Sequence, residues 1–142
     1  MTFLVADHVH NPADGPFSVF AWVKGGAPGQ AIVSQTTGKD WLMADSPDAH
    51  LATKIGQSAP GGQLLHSETI VIDGNWHRVG FVWDGSNRSL YLDGALVAED
   101  TQSTLADCTG GLSIGCGANM ALASFWTGLI DDVRIYRRAV KP

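Results

Sequence analysis

The chain has 142 residues, a net charge of −5 and only 16% charged side chains. This length suits one domain with its own hydrophobic core, so we expect residues 1–142 to form a single domain. An acidic, weakly charged chain lacks the basic surface that binds nucleic acid or an anionic membrane. Its apolar runs are too short to span a bilayer. The sequence therefore excludes nucleic acid and membrane as partners.

The sequence leaves two cellular compartments possible. The opening residues have no basic segment and reach Asp7 too early for a secretory signal, so the chain is cytosolic or its signal lies outside this sequence. Cys108 and Cys116 lie eight residues apart, and Cys116 ends the strand predicted at residues 111–116. That separation exceeds the reach of a disulfide, so we expect both thiols to be free.

The composition is typical of an all-β protein. Seventeen glycines mark dense turns, and glutamate, which favours helices, occurs only at Glu68 and Glu99. No apolar stripe with a helical period is sustained. Short apolar or alternating runs predict eleven strands, at residues 3–6, 17–24, 31–35, 41–44, 51–55, 67–72, 76–84, 89–92, 96–99, 111–116 and 128–137.

Two features predict how these strands assemble. Asp93-Gly94 lies between two strands and suits a type I′ turn, whose central residues both need φ > 0. The segment Phe17–Lys24 is apolar on both faces, which places it in mid-sheet. Many short antiparallel strands joined by glycine-rich turns predict a sandwich of two antiparallel sheets.

Several motifs in order resemble those of laminin-G-like domains with the concanavalin A-like jelly-roll fold. They are an early aromatic strand, an Asp-Gly-x-Trp-His hairpin, a Tyr-x-Asp-Gly turn, a Leu-Ser-Ile-Gly segment and a closing Gly-x-Ile-Asp-Asp-Val-Arg-Ile-Tyr strand. In this chain the matching segments lie at residues 17–23, 73–81, 90–94, 112–115 and 125–139. The resemblance implies an all-β jelly roll, a lectin-like activity and a family that is usually extracellular.

The chain begins later than most members of the resembled family, which open with a further strand. The closing strand, Gly128–Arg137, or its neighbour is therefore expected to lack a pairing partner. An unpaired edge offers backbone N–H and C=O groups to another chain, which predicts a homodimer through that edge. Arginines on the same strand oppose such pairing.

Catalysis is not indicated. A retaining glycosidase needs two carboxyl groups about 5–5.5 Å apart, and neither Glu68 nor Glu99 has a second acid at a suitable spacing on its strand. His77 shares its parity with Val79 and Phe81, which predicts an inward-facing histidine rather than a general base. We therefore expect a protein that is not an enzyme.

Glycans stack on aromatic rings, so tryptophans are the natural candidates for a binding site. Trp22, Trp76 and Trp83 are expected to lie in the core. Trp41 and Trp126 are nearer to strand ends, where they either contact a ligand or pack in the ordinary way. Asp40, beside Trp41, and His50, near a predicted loop, complete the candidate ligand-binding set.

Asp131 shares its parity with three apolar residues of the closing strand, so we expect it to point into the sandwich. A buried carboxylate needs compensation by backbone N–H groups, a basic partner or a cation. Hydrogen bonds that pin a loop are favoured here. The resemblance suggests calcium near this strand in some members, which makes Asp131 and Asp132 the candidate metal ligands. No cofactor is otherwise expected.

Two functions remain open. One is a non-catalytic carbohydrate-binding module whose partner is a glycan or polysaccharide. The other is a protein–protein interaction or assembly module of the same fold. Exposed Trp with neighbouring Asn, Asp or Gln favours the first function, and an apolar, uncharged edge favours the second.

Overall fold

The computed structural model describes residues 4–6, 12–35, 39–46, 48–55, 64–102, 105, 111–117, 124–140 and 142. In this part of the chain all eleven predicted strands are present, with ends within two residues of the predicted ones. The strands are β1 (Leu4–Ala6), β2 (Phe17–Lys24), β3 (Ala31–Gln35), β4 (Asp40–Ala44), β5 (His50–Thr53), β6 (Leu65–Ile70), β7 (His77–Trp83), β8 (Asn87–Leu92), β9 (Ala95–Thr101), β10 (Leu112–Ile114) and β11 (Leu129–Tyr136).

The strands form two antiparallel sheets. Sheet A has six strands in the order β1-β10-β3-β4-β5-β6, and sheet B has five in the order β11-β2-β7-β8-β9. The predicted pairing of β7 with β8 is confirmed, and β11 lies at an edge of sheet B. The one regular helical segment described is the short 3-10 turn Pro12–Asp14, and no described helix is long and apolar enough to cross a membrane. The predicted all-β sandwich with jelly-roll topology is confirmed.

Asp93-Gly94 forms the tight turn that its sequence predicts. Asp93 has φ 52° and Gly94 has φ 86°, so both central residues lie in the left-handed region that a type I′ turn requires. Asp93 N donates to Arg78 O, and Asp93 Oδ1 accepts from Arg78 N, at 2.8 and 2.9 Å. The turn is therefore joined firmly to the first residues of β7.

Aromatic side chains fill the space between the sheets. Phe17 of β2 packs against Trp41 of sheet A and Phe81 of sheet B, with ring centroids 5.3 and 5.6 Å apart. The rest of β2 that faces inward, Val19, Ala21 and Val23, is fully buried. Burial of these apolar groups is the main source of stability in a fold of this kind.

A buried arginine crosses the interior between the sheets. Arg88 of β8 is only 1% exposed, and its Nε and Nη2 donate to the two carboxylate oxygens of Asp100 on β9, at 2.8 and 2.5 Å. Its Nη1 donates to the carbonyl oxygen of Ile55, which follows β5 in sheet A, at 2.5 Å. Arg88 therefore joins sheet B to sheet A by charge-assisted hydrogen bonds.

Cys116 is a buried free thiol. Burial raises the pKa of this thiol, so it stays protonated near neutral pH. Cys108, the other cysteine, lies outside the described residues.

We expect Asp100→Asn to lower the free energy of unfolding by about 1.5–3 kcal/mol, because it leaves a buried guanidinium without its carboxylate. The matched control is Asp132→Asn, which removes the exposed pair that Arg134 and Asp132 form at 2.9 Å. This control should change stability by less than about 0.5 kcal/mol. Urea unfolding of both variants measures the difference. Equal effects would contradict the role of Arg88.

Candidate ligand-binding surfaces

Trp41 and Trp126 lie in the core, so their assignment to a ligand-binding site is wrong. Each is 1% exposed, and Trp41 packs against Phe17. The indole ring of Trp126 lies against Gly26, where an added Cβ would overlap it. A residue near a strand end still faces the interior when strand alternation points it there. Neither ring offers a face to a ligand.

Asp40 and His50 lie in different surroundings. Asp40 is half-buried, and its carboxylate lies 3.9 Å from the Nζ of Lys54. His50 lines a surface pocket of about 230 Å³ on sheet A, where its ring stacks against that of His66 with centroids 6.4 Å apart. The pocket is lined by Asp45, Ser46, Asp48, His50, Leu64, His66 and Glu68. Asp40 is not part of this pocket.

Asp131 and Asp132 are exposed, so the prediction of a buried Asp131 is wrong. The reason is a β-bulge in β11. Asp131 pairs with Trp22, but the next paired residue of β11, Arg134, is opposite Phe20, so two residues of β11 occupy the space of one. Asp132 adopts φ 50° at this point. The extra residue reverses which side chains face inward. Ile130, before the bulge, and Ile135, after it, both face the core, whereas Asp131 faces outward with Trp22.

The two aspartates make local hydrogen bonds only in the described structure. Asp131 Oδ1 accepts from the backbone N of Asp132 at 2.8 Å, and Asp132 Oδ1 accepts from Arg134 Nε. No group of three or more His, Cys, Asp or Glu side chains in the described residues could hold a metal ion. Calcium binding stays a prediction.

The outer face of sheet B carries an aromatic cluster that we call the aromatic face, formed by Phe20, Trp22, Trp76, Arg78 and Tyr136. The guanidinium of Arg78 lies 4.5 Å from the ring centroid of Phe20, a cation–π distance. Tyr136 meets Phe20 edge-on at 6.3 Å. These contacts cover Phe20, which is 2% exposed, and fix the positions of its neighbours.

Trp22 and Trp76 are exposed, at 38% and 42%, so the prediction that both lie in the core is wrong. Trp22 lies on β2 with Asp131 opposite it on one side and Arg78 on the other. Trp76 precedes β7 by one residue and continues the alternation of Arg78, which places it on the same side of sheet B. The signal missed in the sequence is the parity of Trp22, which is opposite to that of the buried residues of β2.

The loop that carries Trp76 is tied to β7 by His77. The ring Nε2 of His77 lies 2.8 Å from Asp73 Oδ1, and the ring Nδ1 lies 2.6 Å from Asp93 Oδ2. Partial burial lowers the pKa of His77, but hydrogen bonds to Asp93 and Asp73 outweigh it and raise the pKa above 6.5 overall. The pKa of Asp73 is lowered by the hydrogen bond from His77 and by that from the backbone of Asn75.

A family model of laminin-G-like domains, described as the concanavalin A-like lectin/glucanases superfamily, matches residues 3–142. The chain belongs to this family. The sequence resemblance and the jelly-roll fold are thereby confirmed for this laminin-G-like domain. No functionally curated protein matches its sequence significantly.

Solved structures share the fold at low sequence identity. A Bacteroides ovatus ATCC 8483 protein, to which carbohydrate binding is attributed, superposes with TM-score 0.75 and 14% identity, over 97% of this chain and 42% of that one. The binding domain of Paraclostridial Mosquitocidal Protein 1 has TM-score 0.73 and 10% identity, over 97% and 38%. Domains LG4-5 of the mouse laminin alpha1 chain have TM-score 0.71 and 13% identity, over 96% and 40%. The laminin-G-like domain thus spans about two fifths of each.

We expect Asp131→Asn to change the free energy of unfolding by less than about 0.5 kcal/mol, because the side chain is exposed and an amide oxygen still accepts from the backbone of Asp132. Thermal or urea unfolding of the two proteins measures the change. A decrease of several kcal/mol in the free energy of unfolding would contradict this expectation and indicate that Asp131 is buried, as strand parity alone predicts.

Proposed function

We propose that this laminin-G-like domain is a non-catalytic carbohydrate-binding module and that the aromatic face is its glycan site. The supporting observation is the exposure of two tryptophans, Trp22 and Trp76. The alternation of β7 puts Trp76 on the side of sheet B that carries Trp22. Indole rings offer a flat apolar surface on which the C–H face of a pyranose stacks. Trp22 lies on a paired strand in the middle of sheet B, so its backbone position is set before a ligand binds, which limits the entropy lost on binding.

Polar groups around the two rings suit hydroxyl recognition. Trp22 has a carboxylate, Asp131, and a guanidinium, Arg78, as its neighbours across the sheet, which supply a hydrogen-bond acceptor and donors on either side of a stacked sugar. Trp76 stands beside the exposed Asn75 and Asp73 in its loop. Exposed Trp combined with Asn and Asp is the pattern that favours glycan over protein as the ligand.

The family and one structural neighbour point the same way. The family description includes lectins, and carbohydrate binding is attributed to the Bacteroides ovatus protein that shares the fold. Neither Glu68 nor Glu99 has a second acid at glycosidase spacing on its own strand, which supports binding without hydrolysis.

A protein-interaction module is the second candidate, and one observation favours it. Three apolar side chains near one edge of the sandwich are about half exposed. They are Leu64, which precedes β6, at 47%, Ile70 of β6 at 51%, and Leu96 of β9 at 52%. β6 contacts β9 at one side of the sandwich. An exposed apolar edge of this kind suits a protein partner. Homodimerisation through the opposite edge strand, β11, also stays a prediction.

The glycan proposal is tested by a glycan array probed with the labelled protein, followed by calorimetry with each glycan that binds. We expect Trp22→Ala and Trp76→Ala each to weaken binding about tenfold or more, equivalent to at least about 1.4 kcal/mol. Ile70→Ala is the matched control, since it removes an exposed apolar side chain from sheet A, and it should bind as the parent does.

Circular dichroism and melting temperature confirm that each variant is folded before binding is compared. Absence of array binding by the folded parent overturns the proposal. Equal binding by the parent and both tryptophan variants places the glycan site elsewhere on the domain.

A further inference from the structure

His77 is held between two carboxylates, one at each ring nitrogen. Asp73 belongs to the loop that precedes β7, and Asp93 belongs to the turn between β8 and β9. We call this arrangement the His77 clamp, formed by Asp73, His77 and Asp93. The imidazole is 13% exposed, whereas Asp73 and Asp93 are 46% and 48% exposed. The clamp therefore lies at the surface, with the histidine on its inner side.

The clamp requires a protonated histidine to be complete. A neutral imidazole has one N–H and one lone pair, so it donates to one carboxylate and turns a lone pair towards the other. An imidazolium donates to both and carries a positive charge between two negative ones. The loss of one proton thus changes one of the two contacts from attractive to repulsive.

The clamp ties the loop that carries Trp76 to β7. Asp73 Oδ1 also accepts from the backbone N of Asn75 at 3.0 Å, so the same carboxylate holds the start of the loop and its middle. The residues from Asp73 to Trp76 are all exposed. In the described structure, the side-chain hydrogen bond that joins this loop to β7 is the one between Asp73 and His77. If the Nε2 contact is lost, this tie is lost.

We infer that protonation of His77 controls the aromatic face, so that this laminin-G-like domain binds glycan more tightly in acid than in alkali. The inference rests on the proposed function and adds its regulation. The other charged groups nearby are Arg78 on β7, Lys24 at the end of β2 and Asp131 on β11. His77 is the histidine of this cluster, and histidine is the side chain whose charge changes near neutral pH.

The direction of the pH dependence follows from the two pKa shifts. The pKa of His77 is raised above 6.5, so the clamp is complete below pH 6.5 and is lost as the pH rises through the raised value. The pKa of Asp73 is lowered from 3.8, so acid breaks the clamp only below pH 3.8. Glycan binding should be strongest between these limits.

The first experiment needs no glycan. Two-dimensional ¹H–¹⁵N NMR follows the His77 ring and the Trp76 indole N–H through a pH titration of the whole chain. We expect both signals to titrate with one midpoint above pH 6.5. A Trp76 signal that does not follow His77 overturns the inference.

The second experiment measures affinity for 3′-sialyllactose and for cellohexaose, one anionic and one neutral probe, at about pH 5.5 and about pH 8.5. The parent should bind the recognised probe at least about fivefold more tightly at the lower pH. His77→Gln should remove this difference. Asp73→Asn keeps an accepting oxygen but loses the charge, so it should move the midpoint to lower pH.

His66→Gln is the matched control, because His66 lies in the pocket on the other sheet, and it should leave the pH dependence unchanged. Binding by the parent that does not vary with pH overturns the inference and leaves the proposed function standing. If the parent binds neither probe at any pH and nothing on the array, the proposed function fails, and the Trp76 titration alone decides whether the clamp orders the loop.

Discussion

Side chains of β2 alternate between the interior of the sandwich and the outer face of sheet B, and each face carries large apolar or aromatic side chains. The inner set, Phe17, Val19, Ala21 and Val23, is fully buried and fills the space next to sheet A. Because the backbone allows no other arrangement, Phe20 and Trp22 must lie on the outside. This constraint creates the aromatic face, and the remaining elements of sheet B are arranged around it.

The absence of a side chain at one position allows the outer aromatics to pack. Gly80 on β7 is opposite Phe20, and an added Cβ there would lie 2.5 Å from the Phe20 ring. The ring thus occupies the space that a side chain at position 80 would need, and Arg78 and Tyr136 pack against it. Trp22, two residues farther along β2, is left with a partly free face. The interior and the outer face are therefore specified by the same strand.

The positions of the strands could be predicted from the sequence, because each strand depends on local signals. Turn residues such as Asp93-Gly94 and the apolar runs between them are sufficient to locate all eleven. The exposure of individual tryptophans was not predictable in the same way. Trp22 and Trp41 both lie in strongly apolar strands. Strand alternation separates Trp22 from the inner residues of β2, but only the packing of one sheet on the other decides which of the two apolar faces is covered.

Asp131 shows a second limit. Strand parity places it inside, but one extra residue in β11 reverses the parity, and nothing in the sequence Asp131-Asp132-Val133 marks a bulge clearly. A one-residue change of register moves every later side chain to the other face. The two carboxylate partners of His77 could not both be predicted from the sequence. Asp73 lies four residues before His77, but Asp93 is brought next to it only by the pairing of β7 with β8.

The central claim is that ligand binds on the outer face of sheet B, and indole N–H signals test it most directly. Titration of the ¹⁵N-labelled chain with a glycan that binds on the array should shift the signals of Trp22 and Trp76 and leave those of the buried Trp41 and Trp126 in place. A titration that leaves Trp22 and Trp76 unchanged, while His50 and His66 shift, would contradict the account and place the ligand in the pocket on sheet A.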